Sequence, residues 1–360
     1  MSAAGPLPRR SHRNPQGEGT SMSSLPGASG SRVGFMAVGL LLLSACLLLL
    51  GLCIGSTGLE SVQAMLHDAN AMQIVADIRA PRALGAWLAG ALLGLAGAIA
   101  QGLFRNPLAD PFLLGSASGA SLGVAVALLF SGSTPFALAW SVRVGFTGAA
   151  FLGAVLAVLL TLALARGVGH TLRLLLAGVV VGVVLGALGQ LIALLQPEVL
   201  LAMQAFVLGS TSFVGWTACW LMAATWVLCL LVSWALSSVL DALALGENTA
   251  ASLGLPLARL RGVLIVVLAL ATGTAVAQTG LIAFVGLAAP HLVRSVVKVL
   301  HRYFVVLSSL MGGALLLAAD VLARWLVAPQ ELPVGVLTAV LGGGYLLWLM
   351  HRRAAREGAW

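Results

Sequence analysis

The chain has 360 residues, of which 60% are hydrophobic and only 8% charged. A soluble domain carries about a quarter charged residues, so the composition excludes a water-soluble globular protein and makes lipid the main solvent. The formal net charge of +8 resides in short segments between apolar runs rather than on one polar face, which fits membrane orientation and argues against a nucleic-acid surface.

Residues 1–33 are rich in Ser, Gly, Pro and Arg and nearly lack large apolar side chains. Nothing there offsets the entropy of ordering, so a disordered cytoplasmic tail is expected, with Met22 an alternative start to Met1. About 20 mainly apolar residues cross a bilayer core. Such runs fall at 34–54, 83–103, 112–130, 144–165, 172–195, 216–236, 257–278, 281–299, 304–327 and 334–350. The reading is one all-α membrane domain of ten transmembrane helices over 34–353, followed by a short cytoplasmic tail, 354–360.

In the first run, Leu43-Ser44-Ala45-Cys46 resembles a lipoprotein processing site. The run continues past it into a multispanning chain, so a helix interior is the better reading. Cys46, Cys53, Cys219 and Cys229 all lie in apolar runs without CxxC spacing; packing is expected, with no metal site, disulfide or cofactor. Gly90 with Gly94, and Gly178, Gly182 and Gly186, recur at four-residue spacing and predict close helix contacts.

The least distinct boundary separates the seventh and eighth spans, where Gln278, Thr279 and Gly280 alone interrupt the apolar run and Pro290 is expected to break the eighth. With the N-terminus inside and ten spans, 15 of the 19 cationic residues fall inside, leaving Arg79, Arg82, Arg143 and Arg324 outside. The positive-inside rule favours that count over nine, which would put Arg352, Arg353 and Arg356 outside.

No constellation of catalytic residues is found: no HExxH, no GxSxG set with triad partners, no Cys/His cluster. The only lysine, Lys298, lies in SVVKVL without a glycine loop, so the chain cannot bind ATP in the Walker manner and any ATP-driven transport borrows its energy from a partner. Asp320 and Arg324 share a helix face and form either a functional site or a structural ion pair. Arg79 and Arg82, flanking Pro81, join Arg324 in breaking the charge rule; they dock an acidic partner or anchor lipid phosphates. The inner loop 238–256 is punctuated by Gly246, Gly254 and Pro256, and Leu243, Leu245, Ala250 and Leu253 supply an apolar face too short to span. It reads as short helices presenting a partner surface, or as a connection.

The sequence resembles the FecCD family of type II ABC importer permeases, which includes vitamin B12 and haem permeases. The likeness runs through RAPR (79–82), QGLFRNPLADPFLLG (101–115), RLLLAG (173–178), LGENTAASLGLP (245–256), GLIAFVGLAAPHLVR (280–294), ADVLAR (319–324) and ELPVGVLTA (331–339). One departure is Gly342-Gly343-Gly344, where the family commonly has proline at the third position, and a softer kink is expected.

The resemblance implies a ten-helix permease in a homodimer with its path on the two-fold axis. It implies two ATP-binding-cassette subunits at the cytoplasmic face, a periplasmic binding protein outside, a bacterial inner-membrane location and both termini cytoplasmic. By the same resemblance Arg79, Arg82 and Arg324 meet acidic residues of the binding protein, and Leu245, Gly246, Ala250, Leu253 and Gly254 belong to helices coupling to the ATPase. Asn106, Pro107, Leu108, His170 and Thr171 match cytoplasmic loops that close the path. The expected cargo is an iron chelate, haem or ferric siderophore, with cobalamin as the alternative. Two rivals of other classes are an ion-coupled secondary transporter using Asp320 and, last, an intramembrane enzyme, for which no nucleophile is found.

Overall fold

A chain in lipid must satisfy its backbone polar groups internally, and this one does so as helix after helix. The computed structural model describes residues 27–55, 58–59, 69–131, 140–165, 171–252, 254 and 256–357. Helix α1 (Gly27–Cys53) ends in a two-residue antiparallel ladder, Ile54–Gly55 with Gly58–Leu59. Helix α2 (Ala69–Ile74) continues through a π-helical turn, Val75–Arg79, into α3 (Ala80–Phe104). A 3-10 turn, Pro111–Leu114, leads to α4 (Ser116–Ser131), followed by α5 (Trp140–Leu164), α6 (Thr171–Leu195), α7 (Pro197–Leu208) and α8 (Trp216–Ala235). Two short helices, α9 (Ser237–Ala244) and α10 (Glu247–Ser252), precede α11 (Leu257–Thr279), α12 (Val285–Val296), α13 (His301–Trp325) and α14 (Val334–Glu357).

Among the described residues, seven helices are long and apolar enough to cross a membrane. The other three expected spans fall on α4, α12 and α14, whose apolar stretches are shorter. Helix α12, at 12 residues, is about 18 Å long, against about 30 Å of hydrocarbon. To span that thickness it would need its non-helical approach, residues 280–284, as well, and such backbone is tolerated at membrane depth where protein surrounds it. The structure is a multi-pass helical membrane domain.

Helix α3 is its centre, buried along nearly its whole length because Ala and Gly dominate it. A Cβ on Gly90 would lie 2.3 Å from the Gly312 carbonyl oxygen, and one on Gly94 would lie 2.3 Å from that of Ser308. Helices α3 and α13 therefore cross backbone against backbone, as small residues permit where lipid gives little hydrophobic drive. The second glycine stripe is also close to a neighbour at one end. A Cβ on Gly178 would lie 2.0 Å from Leu113 O, and those of Gly182 and Gly186 would each come to 3.7 Å of Ser118 Oγ. The opposite side of α6 is open, with Leu172 79% and Val183 67% exposed.

Pro290 does not break its helix as expected: α12 runs straight through it. Proline removes the N–H that the Gly286 carbonyl would otherwise accept, and this carbonyl instead lies against Gly97 of α3. One residue on, Gln101 Nε2 donates to Leu287 O at 3.3 Å. Helix α3 thus packs directly against the stretch of α12 that lacks a helical bond. Helix α14 likewise runs unbroken through Gly342-Gly343-Gly344, where a Cβ on Gly342 would meet that of Phe284 at 2.3 Å.

A methyl group on Gly97 would sit 1.6 Å from Gly286 O, a backbone atom of a packed helix. Gly97→Ala is expected to destabilise by about 3 kcal/mol, the upper part of the overpacking range, read as a lowered unfolding temperature in detergent. Gly344→Ala, with open space around the new methyl, should leave it unchanged.

Candidate functional site

The chain leaves helical geometry at three places close together. Gly209 (φ +66°) ends α7 and Gly280 (φ +70°) ends α11. Leu281 N donates to Phe206 O at 3.1 Å, Ser210 N to Thr279 O at 2.8 Å, and Gly335 N to Gly209 O at 3.3 Å. The non-helical joints of α7, α11 and α14 are thereby tied to one another. Beside them a cavity of about 630 Å³ opens between α4, α6 and α7, within the ordinary range for a small-molecule site of about 300–1,000 Å³. Ser118, Ser121, Gln190 and Gln204 are its polar lining, set among apolar residues such as Met203 and Leu281, and the lining carries no charge. Sequence reading missed this site because its residues are scattered over three helices and none is unusual alone.

Where the end of α1 meets the start of α3 and the end of α13, four charged side chains are assembled from distant parts of the chain. Arg82 Nε donates to Asp320 Oδ1 at 3.2 Å and Arg82 Nη1 to Glu331 Oε2 at 2.8 Å. Arg324 Nη2 lies 2.8 Å from Asp320 Oδ2 without hydrogen-bond geometry, so charge holds that contact. Arg324 Nη1 donates to Gly51 O at 2.9 Å and Ile54 O at 2.8 Å, at the end of α1. The Thr211 hydroxyl donates to Asp320 Oδ1, and Ser212 Oγ to Glu331 Oε2 at 3.2 Å. Two arginines thus balance two carboxylates, while Arg79 Nη1 donates separately to Leu52 O at 3.2 Å.

Arg79, Arg82 and Arg324, the positions expected to meet a binding protein, are all buried in the chain. Arg324 is 1% exposed and Arg79 and Arg82 are each 8% exposed, because a guanidinium removed from water needs carboxylates or carbonyls around it. The edge open to solvent is the Arg82–Glu331 pair, Glu331 being 27% exposed at its side chain. Glu331 was not singled out in sequence, although it opens the segment ELPVGVLTA.

At its opposite end, α3 stops at Arg105 in the left-handed region (φ 49°). Asn106 Oδ1 then accepts from Leu108 N at 2.9 Å, which folds Asn106, Pro107 and Leu108 into a tight turn with Leu108 exposed. Asp110 Oδ1 accepts from Phe112 N at 2.8 Å and caps the 3-10 turn. Burial pushes this carboxyl up from its ordinary pKa, opposed by that hydrogen bond. Thr171 opens α6, while His170 and Leu253 lie outside the described residues.

Helices α9 and α10 form an elbow about Gly246, whose φ of +115° requires glycine. The apolar face expected there divides: Leu243 and Ala250 are fully buried, whereas Leu245 is 70% exposed. Gly254 (φ +72°) has open space around it. Asp241 Oδ1 accepts from both His301 N, at 3.0 Å, and His301 Nδ1, at 2.7 Å. Neither residue stands out in sequence, where they lie sixty positions apart.

The profile of the FecCD transport family matches residues 36–352. The hemin transport system permease protein HmuU of Yersinia pestis is 40% identical over 287 residues, covering 78% of this chain and 84% of that one. The vitamin B12 import system permease protein BtuC of Salmonella schwarzengrund is 37% identical over 326 residues, covering 89% and 95%. Among solved structures, an inward-facing metal-chelate type ABC transporter superposes with a TM-score of 0.80 at 29% identity, covering 89% of this chain and 99% of that one. PsaBC from Streptococcus pneumoniae shares the fold at a TM-score of 0.54 and 18% identity, covering 79% and 92%.

Removing Asp320 strips Arg82 and Arg324 of their shared carboxylate while both remain buried. Asp320→Ala is expected to destabilise by about 3–5 kcal/mol, and Glu331→Gln, at a partly exposed pair, by about 1 kcal/mol or less. Thermal unfolding of the two variants in the same detergent measures the difference.

Proposed function

Because this chain belongs to the FecCD transport family, we propose that it carries an iron chelate, haem or a ferric siderophore, across the bacterial inner membrane by alternating access. Its family is one of transport permeases of ABC importers, in which hydrolysis belongs to a separate ATPase subunit. The absence of a Walker lysine in the sequence agrees with that division.

The observation that carries the reading is the neutral cavity. Serine and glutamine side chains among apolar ones let a bulky chelate slide past without being gripped, leaving specificity to a binding protein. A cargo that must leave as readily as it enters requires weak contacts along its path. In this reading two copies of the chain meet so that the path lies between them. The binding protein docks outside, where the Arg82–Glu331 pair is the accessible charge. Two ATPase subunits seat against the α9–α10 elbow inside, with Leu245 as the exposed apolar contact. The turn at Asn106, Pro107 and Leu108, with the segment at His170 and Thr171, closes the inner mouth. Both termini are cytoplasmic.

Similarity to HmuU and to a metal-chelate transporter supports the chelate reading; similarity to BtuC keeps cobalamin as the alternative. An ion-coupled transporter is disfavoured by the setting of Asp320, which is 0% exposed and engaged by two arginines and a threonine. A carrier carboxylate must exchange its proton or ion with each side in turn.

The test is uptake into proteoliposomes containing the chain, its ATPase and its binding protein. ATP-dependent accumulation of haem or a ferric siderophore is expected. Accumulation of cobalamin alone would overturn the chelate assignment, and gradient-driven uptake without an ATPase would overturn the importer reading. Leu245→Glu places a charge in an apolar contact and is expected to weaken ATPase capture at least about tenfold, measured by co-purification.

A further inference from the structure

We infer that Asp241 and His301 form the joint through which movement of α9 is passed to α13, and that they are positioning residues of the transport cycle; this rests on the coupling role proposed above for α9 and α10. Helix α13 begins at His301, and the preceding residue, Leu300, has no side chain that can cap it. The first N–H groups of a helix need acceptors, and a carboxylate suits the positive end of the helix dipole. Asp241 supplies that acceptor from another helix.

A single carboxylate oxygen receives both the backbone N–H and the ring Nδ1 of His301, at 3.0 and 2.7 Å. Two donors from one residue fix position and orientation together, so α9 cannot shift without dragging the end of α13 or breaking both bonds. Helix α9 itself is held by Val239, Leu240 and Leu243, all buried. The imidazole is confined as well. Its edge meets Phe304 with centroids 5.7 Å apart, and Gly102 leaves the room it fills, since a Cβ there would come to 3.2 Å of Nε2.

The joint lies at one end of a stiff rod. Helix α13 has 25 residues, about 37 Å at 1.5 Å each, and its far end carries Asp320 and Arg324 of the charged cluster. A displacement at the elbow therefore reaches that end through one continuous helix.

The complete importer in proteoliposomes tests this, with uptake and ATP hydrolysis measured together and ATPase capture scored by co-purification. Asp241→Ala and His301→Ala are expected to keep the ATPase bound while lowering substrate moved per ATP about tenfold, as the loss of a charge-assisted hydrogen bond implies. The double variant should be no worse than Asp241→Ala, which already removes both bonds of the link. His301→Asn, whose amide can donate where Nδ1 does, should restore the ratio. An unchanged ratio in the alanine variants, or uptake and hydrolysis falling equally with no rescue by asparagine, would overturn the joint. Leu245→Glu separates the two readings: if it still captures the ATPase, the coupling role of the elbow fails, whereas loss of capture alongside an unchanged Asp241→Ala ratio sinks the joint alone.

Discussion

A charge withdrawn from water must find its opposite within the chain, and the end of this molecule where α1 meets α3 and α13 is arranged around that demand. Asp320 faces Arg82 from the start of α3 and Arg324 from its own helix. Arg324 in turn reaches the last carbonyls of α1 and the ladder residue beyond it. Thr211 and Glu331 bring in the connections before α8 and α14. One buried carboxylate thereby gathers five separated stretches of sequence. Replacing it with an apolar group would leave Arg324 with carbonyl partners alone and Arg82 with Glu331 alone, so the set balances only when complete: two cations, two anions and a ring of carbonyl and hydroxyl partners.

Glycine meets the same demand at the centre by a different route. Where α3 crosses α13, and where it meets Gly286 of α12, no side chain intervenes. Backbone carbonyls come close enough that α3 acts as their surroundings in place of solvent. This tolerates a proline in the middle of α12 and a non-helical approach to it, two features that would be untenable facing lipid. The charged cluster and the glycine crossings are joined, because Arg82 and Gly90 lie on one helix and Asp320 and Gly312 on another.

Much of this was legible in the sequence, and the limits have physical causes. Apolar run length located the long helices, since a bilayer imposes a minimum that soluble packing does not. Gly90 and Gly94 marked a real close crossing because four-residue spacing maps directly onto one helix face. Asp320 and Arg324, four apart, were readable as a pair for the same reason. Their further partners were not: Arg82 lies 238 residues from Asp320, and no local period connects them. That is why Asp320, as the carboxylate partner of Arg82, was not legible in the sequence. Pro290 misled in the opposite way. Local chemistry forbids proline inside an isolated helix, and the packing against Gly97 and Gln101 is visible only in the fold.

The packing also divides the work. Residues of α3, α8, α9, α11, α12 and α13 share one large apolar core, while α4, α5 and α7 build a second around Val124, Phe146 and Met203. Helices α5, α6 and α11 belong to both, through Val158, Leu174 and Leu268 in the first and Phe146, Ala193 and Val276 in the second. Arg82, Asp320 and Arg324 and the Asp241–His301 contact lie on helices of the first group, and a third, small apolar set including Ile54, Ala83 and Val321 flanks the charged cluster. The cavity borders the second, and serine, glycine and glutamine line its walls on α4 and α6. A change of access confined to the second group would leave every buried ion pair intact, whereas one that split α3 from α13 would have to expose them. In the proposed cycle, therefore, the first group moves as a unit, driven at its inner elbow. The cavity opens and closes where neutral, small side chains let helices separate without stranding a charge.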